Sequence, residues 1–164
     1  MSTPLSSIIT KQRILVVDDN PASLYSTVRI LRSARFDVIE ATNGAEALAR
    51  AEENVGLIVL DINLPDIDGL EVCRRLRART GTAYLPIVHL TATYLAQDHM
   101  DQGLSAGGDS WLTHPVDPPV LIATVRALLF ARQADILKRT TDARFRTVFE
   151  LASSGIALLD PELV

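Results

Sequence analysis

Short apolar runs alternate along the chain with stretches of helical periodicity. Arg13–Val17 (RILVV) reads as a first strand, stopped by Asp18-Asp19-Asn20-Pro21. Pro21 suits the first turn of a helix, where its missing N–H is no loss. Residues 22–34 then place Leu24, Val28 and Leu31 at i, i+4 and i+7, the spacing of one helix face. Phe36–Ala41 (FDVIEA) is a second strand, and Asn43-Gly44 opens a helix through about Glu53. Gly56–Leu60 (GLIVL) is a third strand, ending at Asp61. Asp68-Gly69 precedes a helix with Leu70, Cys73 and Leu76 on one face. Pro86–Leu90 (PIVHL) is a fourth strand, residues 95–105 a short helix, and Asp109–Thr113 a fifth strand. A long helical stretch starts near Asp117 and runs to about Leu137 or beyond.

Five strand–helix units at this spacing imply an α/β fold, a parallel sheet with helices on both faces. The first, third and fourth strands lack polar alternation, as strands covered on both sides do. Right-handed crossovers favour a doubly wound sheet. Such sheets bind ligands at the carboxyl ends of their strands. The polar residues at those ends are Asp18 and Asp19 after the first strand, Asp61 after the third, Thr91 after the fourth and His114 after the fifth. Each alone reads as a turn, cap or loop residue. Together they put three carboxylates at one sheet edge, where they repel unless a cation neutralises them. Magnesium, held by one or two carboxylates, a carbonyl and waters, is the natural candidate. A carboxylate beside a cation and a hydroxyl can attack phosphorus and form an aspartyl phosphate.

Composition narrows the field. Apolar residues make up 48% of the 164-residue chain and charged residues 22%, which excludes a disordered or collagen-like chain. No apolar run is long enough to span a membrane. The start, MSTPLSSIITKQR, lacks the basic and apolar regions of a secretory signal. A single cysteine, Cys73, fits a reducing cytoplasm. It falls on an apolar helix face and reads as a core filler. Residues 13–117 carry 9 basic and 15 acidic side chains, an acidic block that argues against direct nucleic-acid contact. Of the basic residues 14 are Arg, and the two Lys stand at 11 and 138, so none lies between. Arg74, Arg75, Arg77 and Arg79 read as a solvated helix face. His89, inside an apolar strand, needs a hydrogen-bond partner if buried.

Residues from about 11 to 131 resemble a response-regulator receiver domain of two-component signalling. The resemblance is carried by Val16-Val17-Asp18-Asp19-Asn20, by Leu60-Asp61-Ile62-Asn63-Leu64-Pro65-Asp66-Ile67-Asp68-Gly69, by Leu90-Thr91-Ala92, and by the run from Gly107 to Pro115 (GGDSWLTHP). It implies a flavodoxin-like five-stranded sheet of order 2-1-3-4-5 with an extended C-terminal helix. It implies that Asp61 is the phosphoacceptor. Asp18 and Asp19 form the acidic pocket, with Asp19 the more direct Mg2+ ligand, and Asn63 gives a backbone carbonyl. Thr91 hydrogen-bonds a phosphoryl oxygen, and Trp111 stands at the aromatic switch position coupled to Thr91. The implied partner is a histidine kinase or histidine phosphotransfer protein. One position departs: the residue before Pro115 is normally lysine and here is His114. Three readings stay open there, namely little consequence, a weakened but working switch, or loss of phosphorylation. The alternative function is a pseudo-receiver that dimerises or docks. A phosphoryl hydrolase is a weaker alternative, because Asn63 stands where such enzymes place a second Asp.

Beyond the receiver, residues 132–142 read as a helical linker, with a break expected around Thr140-Thr141-Asp142. Residues 143–164, a helix followed by Gly155-Ile156-Ala157-Leu158-Leu159-Asp160-Pro161, resemble the opening of a PAS sensor domain cut short. A receiver followed by PAS suggests a longer protein with a histidine kinase or cyclic-dinucleotide output. The projecting apolar stripe suggests a homodimer through the C-terminal helix.

Overall fold

The computed structural model describes residues 13–92 and 106–153, with side chains given to 136. Five strands form one all-parallel sheet: β1 (Arg13–Val17), β2 (Asp37–Ala41), β3 (Val55–Asp61), β4 (Ile87–Ala92) and β5 (Ser110–His114). Their order is β2-β1-β3-β4-β5, as the resemblance implied. Four helices are described: α1 (Pro21–Ser33), α2 (Gly44–Arg50), α3 (Gly69–Ala78) and α4 (Pro118–Ser153). The helix expected over 95–105 lies outside the described residues.

The sheet divides two apolar cores. On one face Leu15, Ile58, Leu60 and Ile87 pack with Leu48 of α2 and Leu70, Cys73 and Leu76 of α3. On the other, Ile14, Val59, Val88 and Leu90 pack with Leu24, Val28 and Leu31 of α1 and Leu121, Val125 and Leu129 of α4. All seven residues of β3 are buried, and up to Asp61 its sequence is an unbroken apolar run.

Local chemistry sets the helix starts. The Asn20 side chain accepts from the N–H groups of Ala22 and Ser23 at 3.0 and 3.1 Å, capping α1 ahead of Pro21. Helix α2 is capped twice: by Asn43, and by Asp66, whose carboxylate accepts from Gly44 and Ala45 at 2.7 and 2.9 Å. Those two amides hold the Asp66 carboxyl below its ordinary pKa. Asp66 thereby ties the loop after β3 to α2.

The arginine row of α3 is not uniform. Arg74 and Arg75 are exposed and pair with Glu71. Arg77 departs from the expected solvated face. Its half-buried guanidinium donates to the carbonyls of Ala83, Leu85 and Gly107 and pairs with Asp109 at 2.8 Å. Asp109 in turn accepts the Ile87 N–H at 2.8 Å, so one ion pair fixes the starts of β4 and β5. Gly107 adopts φ 96°, and a Cβ there would stand 3.0 Å from the Arg77 side chain.

The chain clusters into two compact units, Met1–Leu129 and Phe130–Val164. Helix α4 is continuous from Pro118 to Ser153, so the break expected at 140–142 does not occur. No Gly or Pro interrupts residues 120–153, and nothing local stops propagation. The strand expected after Gly155 lies outside the described residues. No helix among the described residues is long and apolar enough to cross a membrane.

Candidate functional site

Asp18 directly follows β1, its N–H donating to the Ala41 carbonyl at 3.1 Å. The residue is fully buried. Its Oδ1 accepts from the Asn20 N–H at 2.9 Å, so the turn that caps α1 also aims this carboxylate. Its Oδ2 is buried with no hydrogen-bond partner among the described residues. Asp61 is the last residue of β3, is 8% exposed, and accepts the Asn63 N–H at 3.2 Å. His114 ends β5 and is half-buried. One ligand atom from each of Asp18, Asp61 and His114 lies within 4.8 Å of the other two.

Backbone packing holds Asp61 in place. The Gly69 N–H donates to the Ile62 carbonyl at 2.8 Å. A Cβ on Gly69 would sit 2.2 Å from the Asp61 carbonyl oxygen, so only glycine lets α3 start this close.

The electrostatics follow from this crowding. Burial, then the charge of Asp18 and its hydrogen bond, push the Asp61 pKa up to about 7, while the Asn63 amide pulls it down. Burial raises Asp18 as well, opposed by the Asn20 amide, by Asp61 and by His114. Two buried carboxyls side by side favour a shared proton or a bound cation. The orphaned Asp18 Oδ2 and the cluster of two carboxylates and an imidazole fit a divalent ion.

The other expected residues fall as follows. Asp19 is exposed and stands outside the cluster, so of the two adjacent carboxylates it is Asp18 that turns inward. Asn63 is exposed on the loop two residues after Asp61. Thr91 is 1% exposed and lies within β4, which continues through Ala92 because Thr91 and Ala92 pair with Thr113 and His114 of β5. Trp111 pairs across the sheet with His89, their rings 4.9 Å apart and tilted by 36°. His89, two residues before Thr91 on the same strand, thus sits beside the expected switch residue.

His89 is the polar residue the sequence left least explained. It is fully buried, and neither ring nitrogen has a hydrogen-bond partner among the described residues. The indole Nε1 of Trp111 is likewise buried without a partner. Burial lowers the His89 pKa to about 4, against an upward pull from the Leu60 backbone, so the ring is neutral at pH 7. Cys73 meets its expectation as a core filler: its Sγ donates to the Ala106 carbonyl at 3.3 Å, and burial pushes its pKa to about 11.

Comparison with known proteins places this geometry. A family model for the response regulator receiver domain matches residues 14–126. The chain is 42% identical over 118 residues to the DNA-binding dual master transcriptional regulator RpaA of Synechocystis, covering 71% of this chain and 48% of that protein. The match thus spans about half the length of that relative. Among solved structures, a CheY-like receiver domain protein of Methanospirillum hungatei superposes with TM-score 0.70 at 29% identity, covering 76% of this chain and 98% of the other. The receiver domain of the sensor histidine kinase PA1611 of Pseudomonas aeruginosa superposes with TM-score 0.67 at 30% identity, covering 73% and 98%. That structure holds a magnesium ion in its active-site cleft.

Proposed function

Because the chain belongs to the response regulator receiver domain family, we propose that it accepts a phosphoryl group on Asp61 from a phosphohistidine donor. The observation that carries this reading is the Asp18–Asp61–His114 cluster at the carboxyl edge of a doubly wound sheet. A carboxylate oxygen of Asp61 attacks phosphorus, the O–P bond forms as the N–P bond breaks, and the departing imidazole takes a proton from solvent. A Mg2+ held by these carboxylates would supply positive charge to the transferring phosphoryl oxygens. Asp18 and Asp61 would hold that cation, with Asp19 and the Asn63 carbonyl as its further ligands by the family resemblance. The Asn63 amide keeps the Asp61 carboxylate oriented. Thr91 offers its hydroxyl to a phosphoryl oxygen, and Trp111 beside His89 responds to its movement. The donor is a histidine kinase or a histidine phosphotransfer protein, and the setting is cytoplasmic.

On the same reading, residues 132–142 are a helical linker, and residues 143–164 open a PAS-like sensor region of a longer signalling protein. Phe130 and Ile136, large apolar side chains left 51% and 44% exposed on α4, support a homodimer through that helix. The second reading is a pseudo-receiver that docks or dimerises without phosphorylation; His114 in place of lysine favours it. Beryllofluoride with Mg2+ separates the two. A phosphoacceptor shifts the amide spectrum around Asp61 and changes Trp111 fluorescence, and Asp61→Asn does neither. An unmodified protein that gives no change with beryllofluoride is the pseudo-receiver.

A further inference from the structure

The lysine this family places before Pro115 cannot ligate a metal, because an ammonium has donors and no lone pair. An imidazole nitrogen can. The ring of His114 brings a ligand atom within 4.8 Å of carboxylate oxygens of both Asp18 and Asp61. An ion bound at about 2.0–2.2 Å spans at most about 4.4 Å between two ligands. Three ligands spread evenly around one such ion lie about 3.5–3.8 Å apart, so movements of up to about 0.8 Å by each side chain close all three on it. A second observation points the same way: Asp18 is fully buried, and its Oδ2 lies there without a hydrogen-bond partner among the described residues. Carboxylates and carbonyls suit Mg2+, whereas an imidazole suits the later first-row dications, whose affinities rise from Mn2+ towards Cu2+.

We propose that Asp18, Asp61 and His114 form a site of two carboxylates and one imidazole for a first-row transition-metal dication, and that His114 shifts the preference away from Mg2+. The assignment rests on the reading of this edge as a cation-assisted phosphoacceptor site and deepens it by naming the ion class. His114 then serves the phosphoryl group through the metal and not as a substitute ammonium. The imidazole replaces one oxygen ligand or water, so the ion keeps open positions for a phosphoryl oxygen.

The test is calorimetric titration of the full chain with Mg2+ and with Co2+, comparing unmodified protein with His114→Ala and His114→Gln in a His99→Gln background. We expect Co2+ affinity to fall at least about tenfold in both His114 variants, the cost of losing a ligand being no smaller than that of losing a supporting group. Mg2+ affinity changes little. Proton NMR of the Co2+-loaded unmodified protein gives an independent reading that needs no variant: a ligating imidazole shows a strongly shifted exchangeable N–H resonance. Equal Co2+ affinity in all three proteins, or no shifted imidazole resonance, overturns the proposal. Beryllofluoride binding keeps this failure apart from that of the parent reading. An adduct on Asp61 without His114-dependent Co2+ affinity defeats the imidazole site alone. His114-dependent Co2+ binding without an adduct under any cation upholds the metal site and defeats the phosphoacceptor reading.

Discussion

Among the described residues, two places bury polar atoms without hydrogen-bond partners, and they differ in what they face. At the carboxyl edge of the sheet, Asp18 and Asp61 crowd each other with His114 beside them. Inside the sheet, His89 and Trp111 stack with their ring nitrogens unmet. Both arrangements cost stability, since a buried unsatisfied polar group is penalised by about 1–3 kcal/mol. On the proposed function, a cation or phosphoryl group arriving at the edge would relieve the penalty. The interior pair lies between neighbouring strands of the sheet, away from that edge. On the proposed function the first is strain kept for chemistry. The second is a histidine held neutral beside the residue expected to switch.

The sharpest way to break this comparison is Asp61→Asn. Phosphorylation and beryllofluoride binding should vanish, while stability without divalent ions rises by about 1–2 kcal/mol, because a buried carboxylate facing Asp18 is gone. Urea unfolding in EDTA reads the second effect. A loss of stability would mean that the edge cluster holds the fold together instead of straining it. Next in size is Gly69→Ala. Its Cβ would meet the Asp61 carbonyl oxygen at 2.2 Å, so we expect a loss of about 3 kcal/mol together with weaker phosphorylation.

The interior pair is tested by pH. The His89 pKa is lowered to about 4 in the fold against 6.5 for an unperturbed ring. Between those values the unfolded chain binds the extra proton, so stability falls as pH drops from about 6.5 towards 4, by at most about 1.4 kcal/mol per pH unit. His89→Leu should remove that part of the acid sensitivity and gain most near pH 4. Parallel stability curves for the two proteins across this window would show that His89 is protonated or paired in the fold. Smaller still is the contrast along α3. Arg77→Ala should cost about 2 kcal/mol by orphaning three carbonyls and Asp109. Arg74→Ala, a surface pair with Glu71, should cost less than about 0.5 kcal/mol.

Much of this was legible in the sequence because the signals are local. RILVV and GLIVL could only be buried strands, and the Asp, Thr and His residues closing the strands marked the site edge. Part of what escaped depends on partners far along the chain. Arg77 reads as one more solvated arginine until Asp109, 32 residues later, is folded beside it. The extension of β4 through Thr91 and Ala92 comes from pairing with β5, not from their own propensity. Which of two adjacent aspartates turns inward is set by the turn at Asn20, which takes the Asp18 carboxylate and leaves Asp19 exposed. The break expected at Thr140-Thr141-Asp142 weighed modest propensities too heavily against a long uninterrupted helix.

The central claim is that Asp61 takes the phosphoryl group, and intact-protein mass spectrometry tests it most directly. After incubation with acetyl phosphate and a divalent cation, the unmodified chain should gain the mass of one phosphoryl group, discharged by hydroxylamine and mapped to the peptide containing Asp61. Asp61→Asn should gain none. A mass gain that persists in Asp61→Asn, or no gain in the unmodified chain under either Mg2+ or Mn2+, would contradict the account.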